Sequence, residues 1–341
     1  MSDSATPRQW LHPDILVRRL LPVICVGVVV NLAFSWYAGK DSKPLDWSRF
    51  SVFYLVLAAL LSLLPWFWHC VRLAIWGRFF GVKISEVNLL RIAVATDVGG
   101  SFTPQAVGGM PVKISMLVQQ GYSPGKAATL ALLGNVEDVI FFSMAIPVSL
   151  FLTNPWENAL WQYFGNFLSA NGVFILCLVV VLPVLVVVFR KITLKKRRDK
   201  PVASGWHQWS ADFKYAVRLI YTEGRRPFLL SILALSAQWL TRFSILISVL
   251  LALGLPNNLL HFFLLQWMVF VAMVLVPTPG ATGGAEAAFL LVFGKIIPTG
   301  SAGTVLAGWR FLTYYFMLLV GAGLLWALHN RAGRHAGHEA E

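Results

Sequence analysis

Nine Asp, Glu, Lys and Arg side chains lie inside stretches that are otherwise apolar enough to enter a membrane. Glu137 and Asp138 are neighbours in the run Ala127–Leu152. Arg242 falls midway along Phe228–Leu253, and Arg310 inside Thr304–Leu328. Arg91, Asp97 and Lys113 belong to the stretch 88–119, and Glu286 and Lys295 to the stretch 258–297. An ionised side chain in hydrocarbon costs about 2.5–3.5 kcal/mol even on lenient scales. Four acids and five bases therefore have to face the protein interior or a water-filled cavity, and their near balance points to mutual pairing. The plain alternative for each is a structural salt bridge. Adjacent acids on one helix point in different directions, so a single simple pair cannot serve both Glu137 and Asp138. Arginine presents a planar fork of donors that suits phosphate, which gives Arg242 and Arg310 an anion-facing reading. Lys295, near an outer end, reads as a snorkelling lysine.

The two charged stretches break at mid-length in the same way. The first break is Thr103-Pro104-Gln105-Ala106-Val107-Gly108-Gly109, and the second is Thr278-Pro279-Gly280-Ala281-Thr282-Gly283-Gly284. Both read T-P-x-A-x-G-G, 175 residues apart in a chain of 341. Proline removes a backbone donor and glycine permits unusual backbone angles. Polar groups freed at membrane depth are tolerated only where protein or water covers them. They can then hold a ligand, and helix N-termini at such breaks favour anions such as phosphate. Kinks that serve close packing are the bland reading of the same residues.

The elements that must carry these residues are helices. The chain is 57% hydrophobic and 13% charged, with a mean hydropathy of +0.68, whereas soluble domains carry about 25% charged residues. Six spans are expected at Leu20–Tyr37, Phe50–Val71, Ala127–Leu152, Val173–Phe189, Phe228–Leu253 and Thr304–Leu328. The stretches 88–119 and 258–297 are expected to be helical hairpins that enter the membrane and turn back. The predicted fold is thus an all-α polytopic membrane protein with six transmembrane helices, two broken re-entrant hairpins and an inverted-topology repeat. Its first unit covers 1–190, with span 173–189 already opening the second repeat. A basic linker follows at 191–227, then the remainder of the second repeat at 228–330 and a tail at 331–341.

Loop charges set the orientation. Eleven Lys/Arg lie between Arg190 and Arg226, whereas Thr153–Gly172 and Gly254–His261 contain none. The positive-inside rule places the basic loop and both termini in the cytoplasm. Lys40, Lys43 and Arg49 in the first outer loop run against this, in the company of Asp41 and Asp46. Within the linker, Trp206, Trp209, Phe213, Val217 and Ile220 recur at helical steps. They form either an interfacial helix or a helix packed on the protein's own surface. The net charge of +13 is explained by these loops and does not call for nucleic acid. Cys25, Cys70 and Cys177 all lie in apolar runs and imply no disulfide framework. His335 and His338 read as part of a solvated tail. No metal site and no cofactor is expected. No cleavable signal peptide is expected either, so the first apolar run reads as an anchor.

Pro104, Gly108-Gly109 and Lys113, with Glu137-Asp138 downstream, resemble elements of the transmembrane family of lysylphosphatidylglycerol synthases, also called the flippase-like family. Pro277-Thr278-Pro279-Gly280, Gly283, Glu286 and Arg310 match its second-half elements more closely. Met110 stands where that family usually has an acid, and Lys113 where arginine is common. The resemblance runs from about Leu20 to Leu328. It implies lipid handling in a bacterial cytoplasmic (inner) membrane. In the full-length synthases the membrane part moves an aminoacylated phospholipid between leaflets, and a separate soluble domain attaches the amino acid. Only a short tail follows the last span here, so aminoacyl transfer is not expected.

The function expected is therefore a non-enzymatic transporter of a phospholipid or lipid-linked phosphate with an anionic or zwitterionic headgroup. The residues expected to bind it are Arg91, Asp97, Pro104, Gly108, Gly109, Lys113, Glu137, Asp138, Arg242, Pro279, Gly283, Gly284, Glu286 and Arg310. A membrane-embedded enzyme acting on a lipid phosphate is one alternative, although H-E-x-x-H and G-x-S-x-G are both absent from the sequence. A scaffold partner of a glycosyltransferase or synthase is the other, docking through the basic loop. The G-x-x-x-x-G-K-[ST] nucleotide motif is absent too, which argues against direct ATP drive. Small residues such as Gly321-Ala322-Gly323 suit packing against a second copy or within the chain, and both remain open.

Overall fold

The computed structural model describes residues 13–39, 47–103, 105–153, 162, 165–166, 214, 218, 221–255, 258–298 and 300–338. Its elements are helical: α1 (Pro13–Ala38), a short 3-10 turn (Trp47–Arg49), α2 (Val52–Phe79), α3 (Glu86–Ser101), α4 (Gly109–Gln119), α5 (Pro124–Thr153), α6 (Arg225–Ala252), α7 (Leu259–Val274), α8 (Gly284–Phe293), α9 (Ala302–Arg310) and α10 (Phe316–His338). A π-helical turn, Phe311–Tyr315, joins α9 to α10.

Four helices among the described residues are long and apolar enough to cross a membrane: Val52–Phe79, Pro124–Thr153, Arg225–Ala252 and Ala302–Leu328. The helix α1 is apolar from Ile24 to Ala38. Its Val29, Leu32 and Trp36 are all more than half exposed, as side chains facing lipid are. The expected span Val173–Phe189 and the stripe Trp206–Ile220 lie outside the described residues. The tail expected from 331 instead continues α10 as helix to His338. Two helices overrun their expected ends. The hydropathy of the second span falls at Arg72, but α2 continues for two more turns and stops at Gly81, whose positive φ of 72° ends the helix.

The two broken stretches are helix pairs. The arms α3 and α4 have 16 and 11 residues, and α7 and α8 have 16 and 10. At 1.5 Å per residue none exceeds about 24 Å, less than the roughly 30 Å of a bilayer core. The α3–α4 pair is antiparallel along its whole length. Asn88 Nδ2 donates to Gln120 Oε1 at 3.0 Å at the open end, and a Cβ on Gly109 would sit 2.7 Å from the Thr96 carbonyl oxygen at the tip. At the equivalent position of the second pair, a Cβ on Gly284 would run into Val276. The Gly-Gly of each motif thus lies where another stretch of its own hairpin passes too close for a side chain.

Each pair sits in its own apolar core. One core gathers α6, α7, α8 and α9 around Leu246, Phe289, Phe293 and Trp309. The other gathers α2, α3, α4 and the start of α5 around Leu73, Ile92 and Leu117. The helices α2 and α6 join the halves and run antiparallel. Ser51 N donates to the Ala252 carbonyl at 2.9 Å at one end, and Trp76 Nε1 to Ser231 Oγ at 3.1 Å at the other. On the far side, α9 lies directly on α1. A Cβ on Gly303 would overlap the Ser35 carbonyl oxygen. Gly303→Val is therefore expected to lower stability by about 1–3 kcal/mol, the usual cost of overpacking. The measurement is thermal unfolding in detergent, and an unchanged midpoint would show that α1 is not held there.

Candidate functional site

One face of α2 carries Trp66, His69, Arg72 and Trp76, spaced three or four residues apart so that they stack on one side of the helix, and it turns toward α3, α5 and α6. Arg72 is 9% exposed and Glu137, on α5, 1%. Arg72 Nε donates to Glu137 Oε2 at 3.0 Å, and its Nη2 donates to the same oxygen. Arg72 Nη1 reaches Gln238 Oε1 on α6 at 3.3 Å. The other Glu137 oxygen accepts from Trp76 Nε1 at 3.2 Å.

Asp97 on α3 accepts from Trp66 Nε1 at 2.8 Å, and Asp138 on α5 accepts from Trp239 Nε1 at 2.9 Å. Every carboxylate of the cluster thus takes an indole N–H, a donor that satisfies an oxygen without adding charge. Arg72–Glu137 and Arg310–Glu286 are the ion pairs within 4 Å between described residues. Lys113 and Arg242 consequently have no carboxylate in contact, although both lie within electrostatic reach of Asp97. The Arg242 guanidinium lies over the Trp239 ring, 5.2 Å from its centroid. A small cleft is lined by His69, Arg72, Lys113, Gly134 and Glu137. Gly134 lies against both cations: a Cβ there would stand in contact with Arg72 Nη2 at 3.6 Å and Lys113 Nζ at 3.7 Å.

A second polar centre lies at the other hairpin. Arg310 Nε donates to Glu286 Oε1 at 2.7 Å, and its Nη2 to the Gly280 carbonyl at 2.8 Å. The second Glu286 oxygen accepts from Gly283 N at 2.8 Å and caps α8. Arg310 is 1% exposed and Glu286 0%, so this centre is closed and packed.

The two breaks share a backbone signature. Gln105 and Ala106 have φ of 54° and 56°, and the matching Gly280 and Ala281 have 61° and 52°. Left-handed backbone costs a residue with a Cβ roughly 1–2 kcal/mol, and of the four such non-glycine residues described, three are at these tips. Tyr314 connects the tips. Its hydroxyl donates to the Ser101 carbonyl at 3.3 Å, and its ring lies where a Gly280 side chain would be. It belongs to the π-helical turn, a feature that recurs at functional sites.

Of the residues expected from sequence, Asp97, Lys113, Glu137, Asp138 and Arg242 come together in the first cluster. Glu286 and Arg310 form the second, and Gly108, Gly109, Pro279, Gly283 and Gly284 lie at the breaks. Pro104 is outside the described residues. Arg91 lies six residues before Asp97 on α3, half-buried, and makes no ion pair with a described residue. Sequence reasoning missed Arg72, His69, Gln238 and the three tryptophans. The spacing of Trp66, His69, Arg72 and Trp76 was the available signal.

The family model described as the lysylphosphatidylglycerol synthase TM region matches residues 24–321. A UPF0104 membrane protein of Archaeoglobus fulgidus is 25% identical over 316 residues, covering 87% of this chain and 94% of that protein. No solved structure matches.

Proposed function

Since the chain belongs to the lysylphosphatidylglycerol synthase transmembrane-region family, we propose that it is a transporter that moves a phospholipid or lipid-linked phosphate headgroup between leaflets. The observation that carries this reading is the pair Lys113 and Arg242, two cations on membrane helices that make no ion pair with a described residue; Lys113 lines the cleft, and Arg242 lies over the Trp239 ring. Neither is held in a direct ion pair with a described residue, so an anionic oxygen from a ligand is the natural complement. The phosphate meets Lys113 and Arg242, the Arg72–Glu137 pair forms the wall, and the acyl chains stay in lipid beside the apolar outer faces of the helices.

Three features support an inverted repeat that encloses the headgroup at mid-depth. The T-P-x-A-x-G-G breaks carry the same left-handed backbone, α2 and α6 run antiparallel, and the arms of both broken pairs are shorter than a bilayer core is thick. Equivalent helices related by an axis in the membrane plane have to run antiparallel, and transporters of this build hold substrate where broken helices meet. A cytoplasmic-membrane location with both termini inside is the orientation that the basic segment 190–226 supports.

The test is reconstitution into liposomes with fluorescent phospholipid in both leaflets, followed by outer-leaflet quenching. Wild-type protein is expected to expose the inner pool faster than empty liposomes. Lys113→Ala and Arg242→Ala are each expected to slow this at least tenfold, because a hydrogen bond to a charged group is worth about 1.5–3 kcal/mol. Folded variants that match the wild-type rate would remove Lys113 and Arg242 from the site.

A further inference from the structure

The charges of the first cluster balance in a way that constrains what can enter it. By formal charge, Arg72, Lys113 and Arg242 contribute three positive charges and Asp97, Glu137 and Asp138 three negative ones. These groups lie within electrostatic reach of one another across α2, α3, α4, α5 and α6. The empty site is therefore neutral overall. A phosphodiester without a cation of its own brings one negative charge, and an uncompensated charge at membrane depth is costly.

Asp97 is the carboxylate most affected by that extra charge, because Asp138, which also lies near Arg242, has Arg72 beside it as well. The cations near Asp97 are Arg242 and Lys113, the same two that have no contacting carboxylate and would turn to the phosphate. Glu137 keeps Arg72. Asp97 keeps Trp66 Nε1 at 2.8 Å, a bond that survives protonation because a carboxylic acid retains an accepting oxygen. The ionisable groups on the packed neighbours are His69 and Arg72 of α2, Lys113 of α4, Glu137 and Asp138 of α5, and Arg242 of α6. The face of α10 packed on α3 presents Gly321 to Val94 and Val98 and adds no charge.

We propose that the protein carries an anionic headgroup together with one proton, which Asp97 takes up as the phosphate enters and gives up as it leaves. Charge balances at each step: the phosphodiester contributes one negative charge, the proton cancels it, and the loaded site is as neutral as the empty one. Translocation of an anionic lipid is then electroneutral and driven by a pH gradient. A zwitterionic lipid brings its own cation and needs no proton. The inference rests on the headgroup reading above, and the experiment separates the two.

Wild-type proteoliposomes receive a fluorescent phosphatidylglycerol or phosphatidylcholine analogue under a gradient of one pH unit. The membrane potential is clamped with potassium and valinomycin, and empty liposomes give the background. Phosphatidylglycerol is expected to accumulate in the leaflet facing the alkaline side. The limit is about tenfold for one proton per lipid, since one pH unit is equivalent to a tenfold concentration ratio. Phosphatidylcholine is expected to distribute evenly. Asp97→Asn keeps an acceptor for Trp66 but cannot release a proton, and is expected to abolish the asymmetry. Accelerated movement of phosphatidylglycerol to an even distribution in wild type would overturn the proton coupling and leave the transporter reading intact. If folded protein accelerates neither lipid, both fall.

Discussion

Replacing Arg310 with alanine is expected to cost about 3–5 kcal/mol of stability, the range for breaking a buried ion pair from one side. The environment favours the upper part of that range. Glu286 is fully buried, and without the guanidinium it would keep only the Gly283 amide as donor. The Gly280 carbonyl would lose the Nη2 donor, and the space left under Trp309 and Tyr314, whose rings flank the guanidinium, would be a cavity in the core. Arg310→Lys keeps the charge, but a single ammonium cannot reproduce the fork that reaches a carboxylate and a carbonyl together, so an intermediate loss is expected. Glu286→Gln leaves a buried guanidinium without its counter-charge. The double change Arg310→Met with Glu286→Met removes both charges and is expected to be more stable than either single polar variant. Thermal unfolding in detergent, followed by tryptophan fluorescence, reads all four. An Arg310→Ala protein that melts with the wild type would show that the pair does not hold the second hairpin.

Much of this organisation is legible in the sequence, for identifiable reasons. Glycine and proline act locally, so the T-P-x-A-x-G-G segments announced both breaks. The Gly-Gly of each turned out to lie where another stretch of the same hairpin leaves no room for a side chain. Hydropathy placed the long helices for an equally local reason, since the apolar run of a span is contiguous. It misplaced the end of α2 because an arginine reads as a boundary, whereas Arg72 is inside the protein and its charge is met by Glu137, 65 residues away in sequence. The indole donors to Asp97, Glu137 and Asp138 could not be foreseen. Each depends on how one helix face turns toward another, and the pairs are 31 to 101 residues apart. The same limit applies to Arg310. Its type and depth suggested an anion-facing role, but in this conformation its fork is spent on Glu286 and Gly280. Nothing in the local sequence separates Arg310, which is satisfied within the protein, from Arg242, which has no carboxylate in contact.

That distinction divides the labour between the two centres. The second hairpin is fastened to α9 by a closed ion pair. The first hairpin is not fastened in this way, because Asp97 and Lys113, on its two arms, make no ion pair. Among the described residues, Tyr314 links the tips, through one long hydrogen bond to Ser101 and packing on Gly280. Movement of the first hairpin against the second therefore breaks few strong interactions.

Arg72→Ala is the counterpart of the Arg310 change and is expected to behave differently. It also removes one side of a buried ion pair, and Gln238 loses a donor. Glu137, however, retains Trp76 Nε1 and lies within electrostatic reach of Lys113 across the cleft. Lys113 is free to turn toward it, so the stability loss is expected near the lower end of about 3–5 kcal/mol. The functional loss is expected to be larger, because a Lys113 drawn to Glu137 no longer faces a phosphate. A double-mutant cycle of Arg72→Ala with Glu137→Gln is expected to give a coupling energy of about 1–3 kcal/mol, typical of groups in one ion-pair network. Glu137→Gln in the Arg72→Ala background removes the charge that captures Lys113 and is expected to restore part of the lipid movement. Translocation rates of the two single variants and the double variant decide this. A double variant no faster than Arg72→Ala alone would mean that Arg72 itself contacts the headgroup, and that the pair with Glu137 is its resting state.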